Sequence, residues 1–243
     1  MDIQGHRGCR GLLPENTIEA FSKAIDLGVN TLEFDAVISS DHKVIISHEP
    51  FMSHEICLTP SGEEILKEDA SLHNIYKMTY EEIKSYDCGS KFHDRFPKQK
   101  KLKTHKPSLI DVVSCAESKD ENILYNIEIK RKIEWDNIFH PDNKTFADLV
   151  VNEILNLNIE SKTTVQCFDI STLKYIRGKY PKIKLVYLIE NKETPKQNIE
   201  KLGFVPHVYS PEFKLVDTFL VDYCSQKKMK LIPLKPKRLV KST

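Results

Sequence analysis

The chain has 243 residues, 40% of them hydrophobic and 29% charged, with 36 basic against 35 acidic side chains. That makeup suits one globular α/β domain and excludes a disordered chain; no run approaches the roughly 18 uncharged apolar residues of a membrane span. The balance of +1 is uneven: Lys227 to Thr243 carries seven basic residues and no acid, leaving the rest at −6, which argues against a nucleic-acid partner.

Asp2–Gly5 is strand-like and runs into the polar loop His6–Asn16. No signal-peptide pattern precedes it, so the compartment reads as cytoplasmic, or as periplasmic or exported if a leader was removed. Thr17–Leu27 places Ile18, Phe21, Ala24, Ile25 and Leu27 at helical spacing, with Thr17 as cap and Gly28 just past the end. Thr31–Ile38 and Val44–Ser47 read as strands. From His48 to about Pro107 the sequence is polar, Lys-rich and irregular, a long excursion with one helix at Thr79–Tyr86. Leu109–Glu117 reads as a helix. Strands at Ile123–Ile129, Thr163–Phe168, Lys184–Ile189, His207–Ser210 and Lys230–Leu234 then alternate with helices at Phe146–Leu157, Ser171–Lys179, Pro195–Leu202 and Leu215–Lys227. Alternation of this kind implies a parallel sheet with helices outside, either doubly wound or closed into a barrel. Both gather their chemistry at the C-terminal strand ends.

Cys9, Cys57, Cys88, Cys115, Cys167 and Cys224 form no C-x-x-C pair, which excludes a zinc ribbon or thioredoxin motif; scattered free thiols fit better than a disulfide framework. His42, His54, His73, His93, His105 and His140 read as surface histidines.

Three groups stand out along successive strands: Gly5-His6-Arg7-Gly8 directly after the first, Glu33-Phe34-Asp35 within the second with His48 after the short strand, and Glu128-Ile129-Lys130 at the end of the next. Alternation puts Glu33 and Asp35 on one face, and likewise Glu128 and Lys130. Three carboxylates meeting at a strand-end mouth repel unless a cation sits among them, and oxygen ligands suit Mg2+ or Ca2+. His6 and His48 are then an acid and a base beside the metal, and Arg7 and Lys130 offer charge to an anion. Together they describe metal-assisted hydrolysis of a phosphate ester. Singly, each has a plainer reading: polar alternation on a half-buried strand for Glu33 and Asp35, a solvated face for Glu128 and Lys130.

In order, Gly5-His6-Arg7-Gly8, Pro14-Glu15-Asn16-Thr17, Ala20-Phe21, Gly28, Glu33-x-Asp35, His48, Glu128-x-Lys130, Gln166-Cys167-Phe168-Asp169 and Pro181 resemble the glycerophosphodiester phosphodiesterase family over Asp2 to about Pro233. The resemblance implies a TIM (β/α)8-type barrel as a single domain over 1–243, with its insertion at about 49–107. It implies His6 and His48 as the acid/base pair, and Glu33, Asp35 and Glu128 as ligands of one divalent cation, Ca2+ or Mg2+. Arg7 and Lys130 would contact the phosphate, Glu15 would support the site and Phe168 would form a wall near the substrate. The implied reaction converts a small-molecule glycerophosphodiester to an alcohol and glycerol 3-phosphate. The glycerol hydroxyl attacks first to give a cyclic phosphate that water opens. Head group and oligomeric state stay open.

The chain departs from the family pattern in two places. Glu49 follows His48 where Asp is common. After the seventh parallel strand, Leu234 stands where a Trp is expected, and 234–243 is too short and basic for a further helix and strand. This predicts a barrel lacking its last helix-strand unit, with exposed sheet edges and foreign tail sequence. The alternatives to an active hydrolase are a catalytically impaired barrel kept as a binding or vestigial protein, and a related phospholipase-type phosphodiesterase. Glu128-x-Lys130 and the insertion favour the first reading.

Overall fold

A computed structural model describes residues 2–234. The chain divides after Thr163 into two compact units. The tail anticipated at 234–243 lies, beyond Leu234, outside the described residues.

The first unit opens with β1 (Gln4–His6) and α1 (Ile18–Asp26). Thr17 caps α1, its Oγ1 accepting from the Ala20 amide at 3.2 Å, and Gly28 takes the left-handed conformation past the end at φ +82°. The helix buries Ala20, Phe21 and Ala24. Phe21 meets Phe34 edge-on at 5.4 Å, and Phe34 meets Tyr125 at 6.3 Å, each fully buried ring contributing about 1.5–3 kcal/mol.

All of β2 (Thr31–Ile38) is buried. Leu32, Phe34 and Ala36 take one face and Glu33 and Asp35 the other, so two carboxylates sit where a parallel strand normally carries apolar side chains. β3 (Val44–Ile46) turns back antiparallel on β2, pairing Ala36 with Ile46. α2 (Tyr80–Lys84) and α3 (Leu109–Lys119) each start at a capping box, Thr79 with Glu82 and Ser108 with Asp111. β4 (Leu124–Ile129) then pairs parallel with β2, and α4 (Asn143–Asn156) completes the unit.

The 49–107 excursion is less irregular than its composition suggests. Met52, Cys57, Ile65, Ala70, Ile75, Ile83 and Cys88 pack with Val37 and Ile45 into an apolar nucleus. Cys57 and Cys88 are joined by a disulfide, so the expectation of free thiols holds only for Cys9, Cys115, Cys167 and Cys224. Two of the anticipated surface histidines are also buried. His140 is 0% exposed, and its Nε2 accepts from the Lys132 amide at 3.2 Å while Nδ1 bonds the Pro141 carbonyl at 2.8 Å. His93 is 7% exposed, beside Phe96. Burial pushes both imidazoles down. Each lies in a polar segment without periodicity, so nothing in the sequence marks its environment.

The second unit alternates β5 (Thr163–Cys167), α5 (Ile170–Lys179), β6 (Lys184–Ile189), α6 (Pro195–Leu202), β7 (Val208–Pro211), α7 (Thr218–Gln226) and β8 (Lys230–Leu231). Its strands pair in parallel, each with the next. Within the two units, seven of the eight strands are parallel and β3 is the exception. Past β8 the chain still tracks β7, the Leu234 amide donating to the Pro211 carbonyl at 2.7 Å. No helix among the described residues is long and apolar enough to cross a membrane.

Candidate active site

Strand register assembles the site within the first unit. β1 pairs His6 with Glu33, and β4 pairs Glu128 with Asp35. Three short sequence motifs, far apart in the chain, thereby meet side by side on neighbouring strands. His48 joins from the other side, because the amide of Ser47 donates to the Asp35 carbonyl at 2.9 Å.

The turn after β1 is built for this. Arg7 has φ +56°, and its amide donates to the Glu33 carbonyl at 2.8 Å and to Glu33 Oε2 at 3.1 Å. Gly8 has φ +80°, and a Cβ there would lie 2.7 Å from the Ala20 carbonyl carbon, so only glycine lets the loop lie on α1. The Arg7 guanidinium reaches Glu15 Oε1 at 2.7 Å and Asp35 Oδ2 at 3.1 Å. Glu15 also pairs with Arg10. Asn16, at φ +55°, donates from Nδ2 to Asp35 Oδ2 at 3.0 Å.

Glu33, Asp35 and Glu128 are 6%, 1% and 8% exposed, and each offers a carboxylate oxygen within 4.8 Å of the others. Two oxygens on one Ca2+ or Mg2+, each about 2.0–2.6 Å from it, cannot lie much farther apart, so the three fit a hard divalent cation. Electrostatics agree. Burial, reinforced by Asp35 and Glu128, pushes Glu33 well above the usual carboxylate range. Burial also raises Glu128, with Asp35 adding to it against Lys130. Asp35 goes the other way: burial opposes its charge, but Arg7, Lys130 and the Asn16 bond hold it below its ordinary value. The Lys130 ammonium sits 2.8 Å from Glu128 Oε1 and 3.8 Å from Asp35 Oδ1; these carboxylates overcome the effect of burial and hold it charged.

His6 Nε2 lies 3.9 Å from Glu33 Oε2. His48 Nδ1 lies 2.6 Å from Glu49 Oε1. An ionised carboxylate can only accept, so Nδ1 carries the proton and Nε2 is left as the reactive nitrogen. Burial opposes the Glu49 charge, but His48, Lys106 and Arg7 hold its carboxyl down to about 2.

The structure therefore brings together His6, Arg7, Glu15, Glu33, Asp35, His48, Glu128 and Lys130. Phe168 follows β5 in the second unit and is 38% exposed. Sequence reasoning gave no role to Arg10, Asn16, Glu49 or Lys106. Asn16 and Glu49 adjoin residues already singled out, whereas Arg10 and Lys106 look like ordinary surface cations until the fold buries them.

Comparison with known proteins adds to this picture. The model of the glycerophosphoryl diester phosphodiesterase family matches residues 6–233. A glycerophosphodiester phosphodiesterase of Caldanaerobacter subterraneus is 28% identical over 188 residues, covering 77% of this chain and 66% of that one. A Bacillus subtilis enzyme of the same name is 26% identical over 194 residues, covering 77% and 59%. The chain thus spans about two thirds or less of the length of these two relatives. Among solved structures, a candidate glycerophosphoryl diester phosphodiesterase of Silicibacter pomeroyi superposes with a TM-score of 0.85 at 23% identity, over 97% of this chain and 83% of that one. An Oleispira antarctica phosphodiesterase, solved with the product sn-glycerol-3-phosphate, gives 0.74 at 17% identity over 98% and 85%. At these identities the likeness is one of fold.

Proposed function

The chain belongs to the glycerophosphoryl diester phosphodiesterase family, and on that premise we propose that it hydrolyses glycerophosphodiesters to an alcohol and glycerol 3-phosphate. The observation that carries the proposal is the convergence of Glu33, Asp35 and Glu128 between two cations and two histidines. The product held by the Oleispira phosphodiesterase supports the same reaction class. We read the fold as a TIM-type barrel; parallel strands alternating with helices and the likeness to solved family structures support this.

Glu33, Asp35 and Glu128 would hold one divalent cation, Ca2+ or Mg2+, which when bound supplies Lewis-acid charge to the phosphoryl oxygens. Arg7 donates from Nη1 to Glu15 and its Nε lies 3.1 Å from Asp35 as an ion pair, which leaves Nη2 for a phosphate oxygen. Lys130 adds a point charge beside it. One of His6 and His48 takes the proton of the glycerol hydroxyl next to the phosphate as it attacks; the other protonates the leaving alcohol. Their roles reverse when water opens the cyclic phosphate. Glu15 and Asn16 keep Arg7 and Asp35 in place, and Phe168 is assigned a wall position by resemblance alone.

The test is turnover of glycerophosphocholine with and without EDTA, in the wild-type protein and in His6→Ala. Turnover that EDTA abolishes, reduced about 10²–10⁴-fold in the variant, is expected. Metal-independent turnover that survives the substitution would reject the assigned site.

A further inference from the structure

Lys106 lies at the end of the 49–107 excursion, three residues before α3, where sequence alone gives it no task. It is 3% exposed, and among the described residues no side chain hydrogen-bonds or ion-pairs with its ammonium. A buried, unpartnered ammonium is costly and calls for a reason. Backbone pairing gives its location. The Ile46 amide donates to the Pro107 carbonyl at 2.9 Å, and Ile45 bridges Ser108 antiparallel. Continuing that register sets Lys106 opposite Ser47, beside His48 and Glu49.

The charges that act most strongly on Lys106 belong to the candidate site. Burial disfavours its charge, Glu49 supports it most, then Glu15 and Asp35, while Arg7 opposes it. The relation is mutual, for Lys106 follows only His48 among the groups that keep Glu49 ionised. Glu49 in turn holds His48 Nδ1 at 2.6 Å. A carboxylate on Nδ1 fixes the imidazole tautomer and ring orientation, which is the task of the orienting acid in a histidine dyad.

We propose that Lys106 is a positioning residue for catalysis: its buried ammonium keeps the Glu49 carboxylate turned onto His48 Nδ1, so that Nε2 faces the reacting oxygen. The inference rests on the phosphodiester hydrolysis proposed above. It places Lys106 behind Glu49, where it does not touch the phosphate, and that separates its effect from those of Arg7 and Lys130.

The experiment uses the full chain with glycerophosphocholine and the variants Lys106→Met, Lys106→Arg, Glu49→Gln and the double variant Glu49→Gln/Lys106→Met. Lys106→Met is expected to lower kcat by about 10–100-fold, the range for losing an orienting partner, with KM within about twofold of wild type. Lys106→Arg should restore most of the loss. In the Glu49→Gln background the Met substitution should change kcat less than about twofold, since residues acting as one unit are not additive. Lys106→Gln replaces the Met variant if that one fails to fold. A raised KM with unchanged kcat, additive losses, or wild-type kinetics in Lys106→Met would each overturn the proposal. Histidine 15N NMR reads the positioning role independently of turnover. His48 should show the Nδ1–H tautomer in wild type and a mixture in Lys106→Met, and an unchanged tautomer would overturn the positioning role. If wild type turns over no diester, the hydrolase reading fails, while the tautomer shift still tests the role of Lys106.

Discussion

Replacing Glu33 with Gln should make the protein more stable without metal and indifferent to metal, two changes of opposite sign from one substitution. Glu33 is 6% exposed, with a carboxylate oxygen within 4.8 Å of Asp35 and Glu128. At an effective dielectric of 20, two unit charges at that distance repel by about 3–4 kcal/mol. Arg7 and Lys130 offset part of this, leaving a gain of about 1–2 kcal/mol for an uncharged Gln at pH 8. For a chain of this size that is ~2–8 °C in Tm. The sign with pH follows from the raised Glu33 carboxyl. Its stabilising contribution is present below the unfolded value near 4.5 and is lost as pH rises through the folded value, so the advantage of Gln should vanish towards pH 4. A divalent cation at a hundred times its Kd adds about 2.7 kcal/mol to the wild-type protein, but should add less than a third of that to the variant. Thermal melts at pH 4 and pH 8, in EDTA and in Mg2+ or Ca2+, read all four values. A variant less stable than wild type in EDTA at pH 8, or with an equal metal-induced rise, would refute the reasoning.

Other outcomes follow from the same structure. His48→Ala should lower kcat about 10²–10⁴-fold while leaving the circular dichroism spectrum unchanged; equal turnover would remove His48 from the chemistry. The Cys57–Cys88 bond spans a separation of 31 residues, so Cys57→Ser/Cys88→Ser should cost about 3–4 kcal/mol by chain entropy. Dithiothreitol should then lower the wild-type Tm and leave the double variant unmoved. Burial drives the Glu153 carboxyl in α4 up to about 7, so its contribution to stability, present below its ordinary 4.5, is lost as pH rises through 7. Glu153→Gln should therefore stabilise by about 1–2 kcal/mol at pH 8, after allowance for solvent screening, and by nothing measurable at pH 4. Urea melts at the two pH values check this, and a pH-independent difference would count against it.

Much of this was legible before any fold was known, because the signals are local. Thr17 and Gly28 bracket α1 by capping chemistry, and Pro195 and Gly203 do the same for α6, with Gly203 in the left-handed region at φ +78°. Period-2 spacing put Glu33 and Asp35 on one face. The resemblance carried by the ordered motifs named the eight residues that the first unit gathers. Other features depend on contacts between distant residues and carry no local mark. The sequence did not mark the 49–107 segment as having a core, since Met52, Ile65, Ile75 and Ile83 follow no helical or strand period. Nor could it pair Cys57 with Cys88, because cysteine spacing leaves connectivity open. His140 and His93 passed for surface residues among polar neighbours.

The sequence by itself determined which groups this protein possesses: two histidines, three carboxylates and two cations, each within or just after a strand whose period is written locally. Only the tertiary structure decided what those groups are worth. The register of β1 and β4 on β2 brings carboxylates from positions 33, 35 and 128 within 4.8 Å. Burial then drives Glu33 up while Arg7 and Lys130 hold Asp35 down. It also turned Lys106 from one of many lysines into a buried one whose charge Glu49 supports most. The reason is physical: a side chain's charge and chemistry are properties of the residue, whereas its solvation and its neighbours are properties of the packed fold.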